Sequence, residues 1–227
     1  MKFLHLKALP AVSWSSDKAL SFRPRPLTLC FLCFGLLVFG IGEALLIAAG
    51  TGVSPWTVLA QGISNISGWS IGVSTFVISL VVLVFWIPLS QTPGLGTVLN
   101  AVIISAAIEF SLPFLPRPEL FVFKFIEVLT GILMVGLGSG LYLIANLGPG
   151  PRDGLMTGLQ RVSNLPVAGV RTALEITAVV IGWFLGGVVG LGTLLFALGI
   201  GPAVSLGLYL VGRFSRTRAG ADLEDGG

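Results

Sequence analysis

No helix can run through Gly148-Pro149-Gly150-Pro151, yet these four residues interrupt one of the most apolar stretches of the chain. Proline has no N–H to donate and glycine favours irregular backbone, so a helix arriving there must end. Pro151 suits the first position of a new helix, and Asp153 falls in that helix's first turn, where the dipole favours an acid. The new helix, Pro151 to about Ser163, is too short to cross a bilayer, which needs roughly 20 residues. Arg152, Arg161, Arg171 and Glu175 crowd the same region. A broken helix with charges at its mouth, set between long apolar runs, is where membrane proteins place binding sites.

The bilayer follows from composition. Of 227 residues, 54% are hydrophobic and only 10% charged, against about 25% charged in soluble domains. One soluble core could not hide that much apolar surface. The net charge of +3 comes mostly from the two ends, with Lys2, Lys7, Lys18, Arg23 and Arg25 at the start and Arg213, Arg216 and Arg218 near the finish. Basic residues flanking apolar spans are topology signals, so the expected partner is a lipid bilayer and not a nucleic acid.

Residues 1–26 read as a polar, basic N-terminal tail, 27–212 as a single membrane domain and 213–227 as a cytoplasmic C-terminal tail. The first apolar run, Leu27 to Ala49, exceeds the 7–15-residue core of a secretory signal and reads as a retained span. A second Gly/Pro break, Gly52-Val53-Ser54-Pro55, precedes a short helix to about Ile66. Further spans are predicted near 70–89, 97–115, 121–145, 167–187 and 191–212, giving an all-α bundle of about six spans. Cys30 and Cys33 sit three apart in the first span and read as packing residues. His5, the sole histidine, reads as an exposed side chain. No metal or cofactor is expected.

Motifs recur about 96 residues apart, the mark of an internal duplication. Gly40-Ile41-Gly42 answers to Gly136-Leu137-Gly138, and the first break to the second, each ending in a helix-starting proline. Gly94-Leu95-Gly96-Thr97 returns as Gly190-Leu191-Gly192-Thr193. Repeat 1 covers about 27–116 and repeat 2 about 120–212. If neither short helix crosses, each unit has three spans, and an odd number inverts the second copy. With both termini cytoplasmic, most Lys and Arg then fall inside, as the positive-inside rule asks; Arg117 and Lys124 are the exceptions. Inverted repeats with a broken helix in each are the frame of alternating-access transporters.

At this point the residues carry a resemblance. GVSPWTVLAQGIS, GLGTVLN at 94–100, GLGSGLYLIANLGPGPRDGLMTGL at 136–159, VRTALE at 170–175 and GWFLGGVVGLGTLLFALGIGP at 182–202 resemble the YczE/YyaS/YitT group of bacterial integral membrane proteins. The YczE-like branch matches best, over about residues 27–212. The resemblance implies an inner-membrane protein without a known catalytic centre. The pattern departs at Thr57, where the group often has an acid, at Ala60, where it has a histidine, and at Ser105-Ala106, where it has Gly-Pro.

Ionised groups at bilayer depth cost at least about 2.5–3.5 kcal/mol on insertion scales, so they face a partner or water. Glu43, Glu109, Arg171 and Glu175 fall within predicted spans, and Arg152 and Asp153 at the second break. As a structural set they would pair: Asp153 with its own helix start, Arg171 with Glu175, Arg152 with Glu43 or Glu109. As a binding set, Arg152 and Arg171 would attract an anion beside the short helix's N-terminus, while Glu43 or Glu109 exchanges a proton. Gly148, Gly150 and Pro151, with Ser54, Pro55 and Trp56 of the other break, complete the candidate site. The reading is a small secondary transporter or permease of an unidentified small solute, an anion being one option. The alternative is a non-transporting accessory or scaffold protein, and self-association stays open. An intramembrane enzyme is not expected, for there is no Ser/His pairing, H-E-x-x-H or metal cluster.

Overall fold

A computed structural model describes residues 12–16 and 18–224, with side chains to Ser215. His5, Lys2, Lys7 and the side chains of Arg216 and Arg218 lie outside what is described. The regular elements are helices: α1 (Pro26–Ala49), α2 (Pro55–Ser67), α3 (Ile71–Trp86), α4 (Leu95–Ser111), α5 (Phe121–Ala145), α6 (Pro151–Ser163), α7 (Val167–Phe184) and α8 (Leu191–Glu224), with a 3-10 turn at Leu112–Phe114. Among the described residues, α1, α4 with its 3-10 turn, α5, α7 and α8 are each long and apolar enough to span a membrane. A sixth span arises if α2 and α3, bent by 111°, count as one.

Sequence chemistry accounts for most helix ends, and for where the predicted spans differ. α3 holds 16 residues, fewer than the roughly 20 a crossing needs, because Pro88 cannot continue the ladder and Ser90 takes φ 51°. α7 stops at Phe184 because Gly186 turns with φ 88°. α8 does not stop near 212 but continues to Glu224, absorbing most of the C-terminal tail.

The helices sort into two groups. α1 and α5 lie against each other, α4 flanks α1 and α8 flanks α5. α2, α3, α6 and α7 make the second group, with α2 against α7 and α3 against α6. Exchanging the two halves of the chain maps nearly all these pairings onto one another. The exception is α3, which packs along α4 while α7 does not pack comparably along α8.

Small residues set the close spacing of the first group. A Cβ at Gly35 would lie 2.6 Å from the Cβ of Leu141, and one at Gly42 would lie 2.8 Å from the carbonyl oxygen of Gly131. Bringing backbones together in this way is how apolar helices gain attraction where lipid competes equally for Leu and Val. These contacts, early on α1 with late on α5, also make the two helices antiparallel.

Part of the stretch read as a polar tail belongs to the core. Trp14 is buried with Leu32, Leu36 and Tyr142. Its Nε1–H donates to Ser215 Oγ at 2.9 Å, and the Ser16 N–H donates to the Ala145 carbonyl at 3.1 Å. An indole amid short polar residues offers large apolar area with a single donor to satisfy. Cys30 is exposed and Cys33 partly buried, both as free thiols, so Cys30 faces outward where packing was expected.

Candidate functional site

Each break is closed by the other half of the chain. Gly52 and Gly148 sit at equivalent places with φ 109° and 110°, a region L side chains rarely enter. The Gly96 N–H donates to the Leu147 carbonyl at 2.7 Å, and the Gly192 N–H to the Thr51 carbonyl at 2.9 Å. Thr97 Oγ1 donates to the Pro149 carbonyl at 2.7 Å. Trp86 Nε1–H donates to the Pro151 carbonyl at 2.9 Å. Irregular backbone at membrane depth survives only where protein or water satisfies it, and the second break is satisfied by α3 and α4.

So pinned, the N-terminal ends of α2 and α6 reach one cavity of about 190 Å³ between the two helix groups. Ser54, Pro55 and Trp56 line it from the first break, and Gly150, Arg152 and Asp153 from the second. Arg171 and Glu175 enter from α7, facing Ile200 and Val204 of α8. The missing α7–α8 packing leaves this side open, and the Arg171 side chain is 48% exposed.

The charged groups are unequally partnered. Arg171 Nε–H donates to Glu175 Oε1 at 2.9 Å, the i,i+4 pair expected from spacing. Tyr142 OH donates to Asp153 Oδ2, so Asp153 is held by α5 and makes no side-chain cap on its own helix. The Arg152 guanidinium lies 5.4 Å from the centre of the Trp56 ring, close enough for a cation–π interaction. Among the described residues, Arg171–Glu175 is the one ion pair, and Arg152 belongs to none. Glu43, Asp153 and Glu175 still act on it at longer range.

Glu43 sits behind the cavity wall and is fully buried. Its Oε2 accepts from Ser54 Oγ and from Thr57 Oγ1, each at 2.8 Å, while Oε1 has no partner. Thr57 is thus a donor to an acid one helix away. Glu109 is not at the site: it packs against Gly72 where α3 meets α4. Gly148 lies against Gly94 and Thr97 and shapes the break without lining the cavity. The motif reading missed Tyr142, Ser139 and Asn100, all cavity-lining; their one signal was polarity at helical spacing inside apolar runs.

Residues 27–207 match the family model described as a family of unknown function, DUF6198. The chain belongs to this family. It is 40% identical over 208 residues to an uncharacterized protein of Haemophilus influenzae, covering 92% of this chain and 94% of the relative. The membrane protein YczE of Bacillus subtilis is 31% identical over 170 residues, covering 74% of this chain and 79% of YczE. YyaS of the same organism is 27% identical over 166 residues, covering 71% of this chain and 82% of YyaS. No solved structure matches. A YczE/YyaS-like integral membrane protein with several spans therefore agrees with the helices above, and both breaks and the cavity lie within the matched residues.

Proposed function

We propose that this DUF6198 member is a secondary transporter or permease of a small anionic solute, and not an enzyme. The observation that carries the reading is Arg152: a cation at a cavity between two helix groups, outside any ion pair among the described residues. No carboxylate among the described residues stands within salt-bridge distance of the guanidinium, so a bound anion would supply the close contact that Glu43, Asp153 and Glu175 give only at longer range. Its planar fork suits a carboxylate or phosphate. The positive ends of α2 and α6 add to that preference. In this reading the α2, α3, α6 and α7 group rocks against the glycine-packed group about the two breaks. Glu43, with its free Oε1, exchanges the coupling proton.

The test of the site is thermal unfolding of purified protein in neutral-lipid nanodiscs against a panel of carboxylates, phosphates and sulfates. A selective anion stabilises by mass action. Arg152→Gln is expected to fold and to lose that shift. Arg152→Lys should recover part of it, since a point charge lacks the two-pronged geometry. A variant that unfolds early yet keeps the full shift would place Arg152 in the scaffold and sink the anion site.

The inverted arrangement belongs to the same proposal, in a bacterial inner membrane with both termini cytoplasmic. Antiparallel α1 and α5 support it, as does the gathering of Trp14, Gly94, Ala145 and Ser215 at one end of the molecule while Thr51 meets Gly192 at the other. Single cysteines at Thr51 and Asn164, without Cys30 and Cys33, are expected to label from opposite sides of the membrane. Same-side labelling would mean an even number of crossings per repeat and end the inverted model.

A further inference from the structure

The second helix group, although α2 and α7 meet closely at Gly62 and Gly182, leaves a laterally open apolar space between its helices. α2, α3, α6 and α7 surround a space of about 650 Å³ whose walls include Leu59, Ile63, Val82, Leu155 and Ala178, with Thr177 as its one hydroxyl side chain. An apolar space of this kind does not recruit water to fill itself, so a hydrocarbon chain is the chemistry it suits. The hollow adjoins the Arg152 cavity: Trp56 and Leu174 line both. Trp56 therefore carries the Arg152 cation on its ring while helping to wall the apolar space.

Size separates two kinds of anion. Sites for drug-sized ligands run about 300–1,000 Å³. The polar cavity, about 190 Å³, falls below that range and has room for a head group. The apolar hollow, about 650 Å³, falls within it. The hollow also has a lateral rim, since Val81, Phe85 and Ile181 are each about half exposed, so a chain could enter from the hydrocarbon of the bilayer.

Resting on the anion reading above, we infer that the solute is an anionic amphiphile, with its carboxylate or phosphate on Arg152 and its alkyl chain between α2, α3, α6 and α7. The polar and apolar spaces are then two halves of one site, and affinity depends on both. A bilayer lipid filling the hollow unselectively would depend on neither the head group nor Arg152.

The test uses the full chain in phosphatidylcholine nanodiscs with four probes: dodecyl phosphate, dodecanoate, inorganic phosphate and dodecyltrimethylammonium. Thr177→Trp and Val81→Trp each place an indole in or at the hollow without touching the polar cavity, and two positions guard against one failing to fold. Dodecyl phosphate is expected to raise the thermal midpoint of the wild type. Its apparent Kd should weaken at least tenfold in Arg152→Gln and in either tryptophan variant, and inorganic phosphate should bind at least tenfold more weakly. If inorganic phosphate stabilises as well as dodecyl phosphate and the tryptophans change nothing, the anion site stands and the chain site is overturned. If dodecyltrimethylammonium matches dodecyl phosphate and Arg152→Gln is indifferent, the hollow takes any chain and the inference falls. No response to either phosphate or to dodecanoate ends the chain site, and the anion reading falls with it when the carboxylates and sulfates of the wider panel are silent as well.

Discussion

Gly154→Ala is expected to destabilise the protein about as much as deleting the indole of Trp86. In most exposed helix positions that change adds about 0.5–1 kcal/mol of stability through lower backbone entropy. Here the new methyl would overlap the six-membered ring of Trp86 on three atoms. The ring has no room to retreat, being 2% exposed and tied through Nε1–H to the Pro151 carbonyl at 2.9 Å. Expelling it loses the packing of a fully buried aromatic, about 3–5 kcal/mol for Trp→Ala substitutions, and leaves a break carbonyl without its donor. A double-mutant cycle separates this from a generic helix effect. In Trp86→Ala the space beside Gly154 is vacated, so adding Gly154→Ala should be neutral or slightly favourable, giving strong coupling between the two sites. Unfolding midpoints of the four proteins decide it. Additive losses would mean the ring and the glycine are not in contact.

What could be read in advance divides along a physical line. The breaks at Gly52–Pro55 and Gly148–Pro151 were legible because proline's missing donor and glycine's positive φ act within a few residues, whatever surrounds them. The recurrence was legible because Gly96 and Gly192 each donate an N–H to a break carbonyl, and Thr97 and Thr193 each accept from the glycine that starts their own helix, so the same letters return. What was not legible is azimuth. Glu43 and Glu109 look alike as single acids in apolar helices, but one turns toward Ser54 and Thr57 while the other turns toward Gly72. Hydropathy gives depth and says nothing about which neighbour a side chain will meet. Tyr142 escaped for the same reason: its partner Asp153 is supplied by the helix that begins after the break.

Both helix groups use glycine to bring backbones together. α1 and α5 approach through glycines whose missing side chains leave little space between backbones, and the sequence shows this as Gly-x-Gly motifs. α2 and α7 do the same, a Cβ at Gly62 lying 2.6 Å from the Gly182 carbonyl oxygen, yet α2, α3, α6 and α7 leave an apolar space open between them.

Glu43 lies behind the cavity wall formed in part by Ser54, and its replacement should separate a structural network from a coupling site. Removing the side chain in Glu43→Ala takes away the shared acceptor of Ser54 Oγ and Thr57 Oγ1, all three groups being buried. The two hydroxyls lie 3.0 Å apart and can still bond to each other, so one donor is stranded at about 1–3 kcal/mol; the vacated volume adds to this, and a loss of about 2–5 kcal/mol is expected. Glu43→Gln keeps an acceptor oxygen at the same reach and should cost no more than about 1 kcal/mol, within the range of one ordinary hydrogen bond. The sharper measurement is rescue. Replacing all three groups by apolar ones of similar shape, Glu43→Leu with Ser54→Ala and Thr57→Val, should recover most of the loss, because an apolar core tolerates the absence of a network better than half of one. A triple variant no more stable than Glu43→Ala would show that Glu43 is held by something other than these two hydroxyls. A stable triple variant that still binds the anion but no longer moves it would leave Glu43 with the proton-exchanging role alone.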